Sequence, residues 1–272
     1  MQPAEISLDQ LKQRMKSGWM AGDFGRIARY SAKTAEEFVE RLNVRSGIEV
    51  LDVACGTGNV AIPAARKGAL VHGSDIATNL LQQARERAAS EGLQATFQEG
   101  DAEQLPYADQ SFDLVVSMFG AMFAPRPERV AAELTRVCRR GGVVAMANWT
   151  PEGFAAKFLA MGARYVPPPE GVPPAVLWGS EPVVRQRLDA YCSSIQTTRR
   201  IADFDFPLAP REAVQFFRDY FGPVQIIFSR LGPEGQAAYA SDLEKLWSDH
   251  NESAAGGTLV RNEYLEVIAT RA

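Results

Sequence analysis

Apolar and polar positions follow a regular order between residues 48 and 149. Five mostly apolar runs predict strands at 48–54, 69–75, 94–99, 112–118 and 142–149. Helical periodicity predicts helices between them at 60–67, 79–91 and 128–139, each followed by a glycine (Gly68, Gly92, Gly141) where a C-terminal helix cap is expected. Strands that alternate with helices and are apolar on both faces are typical of parallel sheets. The pattern therefore predicts an α/β fold with a doubly wound, mostly parallel sheet.

The pattern changes on both sides of this region. Before it, a helix is predicted at 31–42, whereas the aromatic and glycine mixture at 19–25 predicts no regular element. After it, the proline-rich stretch 165–174 excludes a helix or a central strand. Further helices are predicted at 182–191, 210–220 and 233–250, and strands at 196–206 and 259–270. We divide the chain into an N-terminal helical arm (1–47), a core (48–150), an elaboration with a sheet strand near 196–206 (151–258) and a final strand (259–272).

Composition narrows the class of protein. With 46% hydrophobic and 23% charged residues among 272, the chain can bury a globular core. A net charge of -4 without a basic run disfavours a nucleic-acid partner. The first eighteen residues lack the apolar segment of a signal peptide, and no later run approaches a membrane span. Three cysteines without a CxxC pair indicate reduced thiols, so we expect a cytoplasmic protein, and we predict no metal site.

The most informative motif spans residues 50–59. A buried strand reaches Asp52 and then enters a glycine turn, Gly56 and Gly58, that opens onto a helix. Such a turn brings bare backbone close to a ligand, because a Cβ at either glycine would stand in the way. A second acid, Asp75, ends the next strand, and the segment 100–106 (Gly-Asp-Ala-Glu-Gln-Leu-Pro) follows the third.

Together these segments resemble the nucleoside-binding half of the class I S-adenosylmethionine-dependent methyltransferases, particularly the branch with the ubiquinone and menaquinone C-methyltransferases. The resemblance covers residues 45–150. It implies S-adenosylmethionine as cofactor, S-adenosylhomocysteine as product, and a Rossmann-like sheet of seven strands whose last strand is antiparallel. Residues 196–206 and 259–270 would then form the closing pair, and 151–258 a helical substrate cap.

The resemblance also implies roles for single residues. Asp75 would accept hydrogen bonds from the ribose hydroxyls, and Asp101 would bind the exocyclic amine of adenine, with the Ala102 N–H on a ring nitrogen. Asp52 would hold the turn and the amino group of the methionine part. The predicted cofactor-binding residues are Asp52, Gly56, Gly58, Asp75, Ile76, Leu80, Asp101, Ala102, Ser117 and Met118. Ile76 and Leu80 would pack on the adenosine, with the last two beneath the methionine portion.

Each acid has a structural interpretation beside the functional one. Asp52 could cap the helix that follows it, Asp75 could be the N-cap of the helix at 78–91, and Asp101 could stabilise the turn at 103–106. The N-terminal arm is likewise open between a packing element and a flap over the cofactor, with Phe24, Arg29 and Tyr30 as contacts.

Two other functions compete with methyl transfer. Residues 56–61 satisfy the relaxed G-x-G-x-x-G/A pattern, and Asp75 lies near the required offset, as in an NAD(P)-dependent oxidoreductase. Against this, the Asp52 carboxylate would face the phosphates, and a dinucleotide fold does not call for Gly-Asp-Ala after the third strand. The other alternative is a non-catalytic scaffold that keeps the cofactor fold.

The absence of one motif reduces the number of possible classes of methyl acceptor. No Asn/Asp-Pro-Pro-Tyr/Phe follows the fourth strand, where amino-group methyltransferases for nucleic-acid bases and some proteins carry it, and 117–123 contains Met and Phe instead. We expect a small apolar or aromatic acceptor, with the acceptor pocket and its lid built by 151–258 and lined by Trp149, Trp178 and the proline bend. His72 is predicted to be structural, His250 is only a weak candidate for a general base, and no catalytic residue is assigned.

Overall fold

A seven-stranded sheet forms the centre of the molecule in the computed structural model, which describes residues 7–272; the first six residues of the predicted N-terminal arm lie outside this part. The strand order is β3-β2-β1-β4-β5-β7-β6. The strands are β1 (Glu49–Val53), β2 (Leu70–Asp75), β3 (Ala95–Glu99), β4 (Phe112–Met118), β5 (Cys138–Trp149), β6 (Cys192–Phe206) and β7 (Thr258–Arg271). The first five are parallel, and β7 is antiparallel to both β5 and β6. The predicted seven-stranded α/β sheet with a closing antiparallel pair is confirmed.

Eleven α-helices surround the sheet in the described part of the chain. They are α1 (Leu8–Met20), α2 (Phe24–Ala28), α3 (Ala32–Arg41), α4 (Ala61–Arg66), α5 (Thr78–Ser90), α6 (Pro127–Val137), α7 (Phe154–Tyr165), α8 (Glu181–Leu188), α9 (Pro210–Tyr220), α10 (Gly222–Arg230) and α11 (Pro233–Asp249). The chain steps from β1 to β2 and β3 in one direction and from β4 to β5 in the other. Right-handed crossovers in opposite directions place their helices on opposite faces, so the sheet is doubly wound.

Two hydrophobic cores hold these elements together. The main core lies between the sheet and its flanking helices and contains the apolar runs of β1, β4 and β5. The second core is rich in aromatic residues and joins α7, α9, α10 and α11, which we call the helical cap, to β6 and β7. Within the elaboration predicted at 151–258, the helical cap therefore forms a layer with a core of its own, whereas Trp178, Val184 and Leu188 belong to the main core and β6 is a strand of the sheet.

Several helices were not predicted from the sequence. The expectation that 19–25 holds no regular element is wrong, because Trp19 and Met20 form the end of α1 and Phe24 is the first residue of α2. Ser7 caps the N-terminus of α1: its hydroxyl accepts the Gln10 N–H, while the Gln10 side chain accepts the Ser7 N–H. Helices α7 and α10 were also missed.

One predicted helix cap is wrong. The helix expected at 128–139 ends at Val137, because Cys138 already pairs with Phe112 of β4. Gly141 has a φ of 73° and lies in an irregularity of β5, where the register between β4 and β5 shifts. Gly68 and Gly92, with φ of 82° and 66°, do follow their helices as predicted.

Trp178 belongs to the main core and not to a ligand pocket. Its side chain is 1% exposed, and the Arg187 guanidinium lies 4.5 Å from the ring centroid. It is held there by a 3₁₀ helix, Ala175–Gly179, that contacts β5 and α8. The expectation that Trp178 lines the acceptor pocket is therefore wrong.

We predict that Trp178→Ala lowers the free energy of unfolding by about 3–5 kcal/mol, because it leaves a large cavity in the main core. Urea denaturation of the variant and the parent measures this difference. Trp178→Phe, which keeps most of the ring volume, is the control and should cost much less. An unfolding free energy unchanged by the alanine substitution would show that this position is not part of the core.

Candidate active site

A cavity of about 860 Å³ opens at the carboxyl ends of the parallel strands and continues beneath the helical cap. Open α/β sheets place ligands at this edge. Eight of the ten predicted cofactor-binding residues line the cavity: Asp52, Gly56, Asp75, Ile76, Leu80, Asp101, Ala102 and Met118. Gly58 and Ser117 do not line it. We call the wall formed by residues 52–102 and α1 the strand-tip end.

The two glycines of the turn have different tasks. Gly56 has a φ of 54°, and a Cβ added there would meet no atom within 4 Å. Because Gly56 lines the cavity, that Cβ would project into ligand space. Gly58 has a φ of 82°, and its Cβ would lie 3.2 Å from Ile62 Cγ1 and 3.5 Å from Ala84 Cβ. Gly58 therefore supports the turn by close packing on α4 and α5.

Asp75 fastens the glycine turn to the tip of β2. Its Oδ2 accepts the Gly56 N–H at 2.8 Å, and its Oδ1 accepts the Ala77 N–H at 2.8 Å. The N-cap of α5 is Ala77, so the interpretation of Asp75 as that cap is wrong. Asp75 is only 8% exposed, and this burial raises the pKa of its carboxyl group. A carboxylate accepts about four hydrogen bonds, so it keeps lone pairs for ligand hydroxyls.

Asp52 has a structural task that leaves a ligand role open. Its Oδ2 accepts the N–H of Ala61, the first residue of α4, at 3.0 Å, so the predicted helix-capping role is confirmed. Burial, and to a smaller extent the charge of Asp75, raise the pKa of Asp52 to about 8. Asp52 also lines the cavity. A cationic ligand group placed beside it would favour the ionised carboxylate.

Asp101 is held between its own turn and the N-terminal arm. Its Oδ1 accepts the Glu103 N–H at 2.8 Å, which confirms the turn-stabilising interpretation. The Lys12 ammonium of α1 lies 2.5 Å from Asp101 Oδ2 and 2.6 Å from Glu103 Oε2. Helix α1 therefore lies across the strand-tip end and contributes Lys12 and Trp19 to the cavity wall.

The flap interpretation of the arm holds for only part of it. Phe24 of α2 lines the cavity, as expected for a flap. Arg29 and Tyr30 do not line it. The Tyr30 ring packs 4.2 Å from the Phe206 ring, and the Arg29 guanidinium lies 4.9 Å from the Tyr30 ring centroid. Both residues also lie 5.9 Å from the ring centroid of Phe216 in α9, so they attach the arm to the helical cap.

Backbone strain concentrates where β1 and β4 end. Ala54 and Phe119 both have a φ of 56°, in the left-handed region, and both line the cavity. A Cβ on Gly120 would lie 2.5 Å from the Ala54 carbonyl oxygen, so the two strand ends approach closely. Strained residues of this kind cluster at ligand sites. Sequence reasoning missed them because neither alanine nor phenylalanine signals a positive φ.

Ser117 organises the end of β4 and does not line the cavity, so the prediction that it binds the cofactor is wrong. Its hydroxyl donates to the Val53 carbonyl at 2.7 Å and accepts the Ala121 N–H at 3.0 Å. The residue is 1% exposed. Met118, the next residue, does line the cavity, as predicted.

The other end of the cavity is aromatic and uncharged. We call it the cap end; its wall is formed by Trp149, Phe154, Phe158, Phe204, Phe217, Phe221, Trp247 and Asn262, together with the aliphatic Ala155 and Leu159. Phe119 joins the two ends and stacks on Trp149 with ring centroids 3.6 Å apart. Among the described residues, the charged members of the cavity wall all precede residue 102. Sequence reasoning found only Trp149 here, because the others are scattered over five elements and resemble ordinary core positions.

Neither histidine lines the cavity. His72 Nδ1 lies 2.9 Å from Thr96 Oγ1 on the neighbouring strand. His250 Nδ1 lies 2.9 Å from the Leu246 carbonyl oxygen, and its Nε2 lies 2.9 Å from Lys157 Nζ. The proline bend at 165–174 is also absent from the wall, so the expectation that it lines the mouth is wrong.

Residues 7–272 contain no group of three or more histidine, cysteine, aspartate or glutamate side chains placed to hold a metal ion. Within the same residues, no helix has both the length and the apolar character needed to cross a membrane.

Comparison with known proteins identifies proteins that are similar to this chain. A family model described as "Methyltransferase domain" matches residues 50–142. The uncharacterised protein Rv1403c of Mycobacterium tuberculosis is 41% identical over 228 residues, which are 83% of each chain. A phosphatidylethanolamine N-methyltransferase of Cereibacter sphaeroides is 34% identical over 53% of this chain and 70% of its own. Phosphoethanolamine N-methyltransferase 2 of Haemonchus contortus, solved with S-adenosyl-L-methionine, superposes with a TM-score of 0.54 at 18% identity, covering 88% of this chain and 53% of that one.

Asp52 should make stability depend on pH. Its pKa rises from an ordinary value of 3.8 to about 8 on folding, so the folded protein keeps a proton that the unfolded chain loses in this window. The contribution of Asp52 to the free energy of unfolding therefore falls as the pH rises from 3.8 to about 8. Asp52→Asn keeps an acceptor for the Ala61 N–H but does not titrate. We predict that the melting temperature of the variant minus that of the parent increases across this window and is constant above it. A difference that does not change with pH would show that Asp52 ionises normally.

Proposed function

Because the chain belongs to the class I S-adenosylmethionine-dependent methyltransferases, we propose that its methyl acceptor is a small, apolar or aromatic molecule without a charged headgroup. The observation that carries this proposal is the composition of the cap end, which is aromatic and free of charged side chains in the described residues. A carbon, oxygen or nitrogen atom of such a molecule could receive the methyl group. Membership of this family decides against the alternative that the glycine turn binds NAD(P) in an oxidoreductase.

The strand-tip end is proposed to hold S-adenosylmethionine, whose sulfonium supplies an activated methyl group. The open space beside Gly56 fits a ligand that approaches bare backbone. The free lone pairs of Asp75 would accept the ribose hydroxyls, and Asp52 would receive the amino group of the methionine part. Because this group and the sulfonium are cationic, they suit an end of the cavity that contains buried carboxylates.

The adenine is proposed to lie between the tips of β2 and β3. Ile76 and Leu80 supply apolar surface there, and both line the cavity. Asp101 would accept the exocyclic amine while the Ala102 N–H meets a ring nitrogen. Lys12 already contacts Asp101, so α1 would cover the adenine and shield this end from water.

We propose that methyl transfer depends more on the alignment of the acceptor with the methyl group than on proton transfer by the protein. Holding two reactants in line can supply much of a rate enhancement. The cavity wall contains no histidine, so an acceptor that already carries a reactive nucleophile suits the site best. The helical cap would keep water away from the acceptor.

Two of the similar proteins are named as N-methyltransferases of phosphatidylethanolamine and phosphoethanolamine, which carry an amine and a phosphate. We compared the cap end with the needs of such a substrate. The aromatic faces of the cap end could stabilise a cation. The phosphate of such a headgroup would lie there without a cationic partner, because the lysines of the wall, Lys12 and Lys16, belong to α1 at the strand-tip end. A buried unpaired charge is strongly unfavourable. We therefore do not transfer the headgroup substrate to this chain.

We also propose a cytoplasmic location and no nucleic-acid partner. The cysteines Cys55, Cys138 and Cys192 are all free, which fits a reducing compartment. The net charge of -4 disfavours binding to a polyanion.

A methyl-labelling experiment tests the acceptor class. The protein is incubated with methyl-tritiated S-adenosylmethionine and a metabolite extract that has been separated into neutral, anionic and cationic fractions. We predict that label enters the neutral apolar fraction together with formation of S-adenosylhomocysteine. Label in only the anionic, phosphate-bearing fraction would contradict the proposal, and no product from any fraction would favour a non-catalytic scaffold.

Gly56→Ala and Gly92→Ala are matched variants for this experiment. Both glycines have a positive φ and open space around an added Cβ, but of the two only Gly56 lines the cavity. Their cost in backbone strain should be similar. Gly56→Ala should therefore lose most of the labelling, whereas Gly92→Ala should keep it.

A further inference from the structure

Two residues of the cap end carry buried polar atoms without a partner. Asn262 of β7 is 0% exposed, and neither its Oδ1 nor its Nδ2 has a hydrogen-bond partner in the protein. Trp247 of α11 is 1% exposed, and its Nε1 has no partner. Both residues line the cavity. Among the residues of the cap end, these two carry buried polar atoms without a hydrogen-bond partner.

Unpaired buried polar groups are costly and uncommon in folded proteins. Other described residues also have such atoms, among them Asn148 Nδ2 and Trp178 Nε1, but those residues do not line the cavity. The coincidence of an unpaired amide and an unpaired indole N–H on one apolar cavity wall indicates groups that await a ligand.

The strand places Asn262 between the helical cap and the aromatic stack. Side chains alternate along β7, so Asn262 faces the same side as Val260 and Tyr264. Val260 belongs to the core of the helical cap, and the Tyr264 ring lies 5.4 Å edge-on from the ring of Phe119. Its neighbour on β6 is Ala202, whose small side chain cannot satisfy the amide.

We infer that Asn262 and Trp247 are the polar anchors that orient the methyl acceptor, and that the acceptor carries a hydroxyl or carbonyl oxygen on an apolar ring system. This inference rests on the proposed function. An indole N–H can only donate, whereas an amide both donates and accepts. Together they can bind an oxygen that accepts from Trp247 or Asn262 and a hydroxyl that donates to Asn262 Oδ1. Both groups are uncharged, so recognition needs no ionised substrate.

Such an anchor has a specificity consequence. An aromatic wall alone discriminates weakly between two ring systems that differ in a single polar group. A site with buried donors and acceptors rejects the analogue that lacks the oxygen, because its own groups then remain unpaired. Asn262 and Trp247 are therefore positioning residues that select oxygenated acceptors and set their orientation toward the methyl group.

The experiment compares two probes, 1-naphthol and naphthalene, which share a ring system and differ in one hydroxyl. Binding of each is measured by calorimetry in the presence of saturating S-adenosylhomocysteine, for the parent, Asn262→Leu and Trp247→Phe. Asn148→Leu and Trp178→Phe are the matched controls, because Asn148 and Trp178 are equally buried and also carry unpaired nitrogen atoms but lie outside the cavity wall. Melting temperatures are recorded for every variant.

We predict that the parent prefers 1-naphthol and that Asn262→Leu reduces this preference by about tenfold or more, with a smaller loss for Trp247→Phe. The two controls should retain the preference. Without a probe, Asn262→Leu should melt no lower than the parent, because it removes an unpaired amide from an apolar site. An asparagine with a purely structural role would instead give a lower melting temperature and an unchanged preference.

Three further results would overturn the inference. Equal affinity of the parent for both probes would show that the cap end does not recognise oxygen, and the proposed apolar acceptor would stand. Equal loss of preference in Asn262→Leu and Asn148→Leu would show that the effect does not arise in the cavity. Binding of neither probe would contradict the inference and the proposed acceptor class together, whereas normal binding without labelling of any metabolite would contradict the proposed function alone.

Discussion

The hydrogen bond from the Gly56 N–H to the Asp75 carboxylate is the interaction on which the site depends. It joins the turn after β1 to the tip of β2 and keeps the bare backbone of Gly56 at the cavity wall. It also brings a second carboxylate close enough to Asp52 to contribute to its raised pKa. The strand-tip end thus holds two buried acids that a cationic ligand would stabilise. We interpret this arrangement as preparation for S-adenosylmethionine.

The two ends of the cavity differ in charge, and we assign them different ligands on that basis. The strand-tip end contains the charged side chains of the wall, and the cap end contributes aromatic surface with two residues whose buried polar atoms are uncharged and unpaired. A cofactor that carries charge and an acceptor that does not can therefore be held in one cavity without mutual interference. Since methyl transfer needs mainly alignment, a rigid aromatic wall with fixed anchors is sufficient for the acceptor side.

The sequence predicted the sheet and most of the strand-tip end because their signals are local. An apolar run, an acid and a glycine turn follow one another within ten residues, and a second acid ends the next apolar run, so Asp52, Gly56 and Asp75 could be recognised without knowledge of tertiary contacts. The cap end could not be predicted in this way, since its wall combines residues from several elements that are far apart in the sequence. Trp178 and Trp247 make the point: both are 1% exposed tryptophans with an unpaired Nε1, but of the two only Trp247 faces the cavity. Residue type and burial do not distinguish them, and only their placement does.

Calorimetric titration of S-adenosylhomocysteine into the parent, Asp75→Asn and Asp113→Asn tests the central claim most directly. Asp113 is a suitable control because it is a strand carboxylate that also accepts a backbone N–H, from Glu49 at 2.9 Å, but lies outside the cavity wall. Hydrogen bonds to a charged acceptor contribute about 1.5–3 kcal/mol each, so Asp75→Asn should weaken binding by about tenfold or more. Asp113→Asn should bind like the parent. Parent-like affinity in a folded Asp75→Asn protein would contradict the assignment of the strand-tip end as the cofactor site.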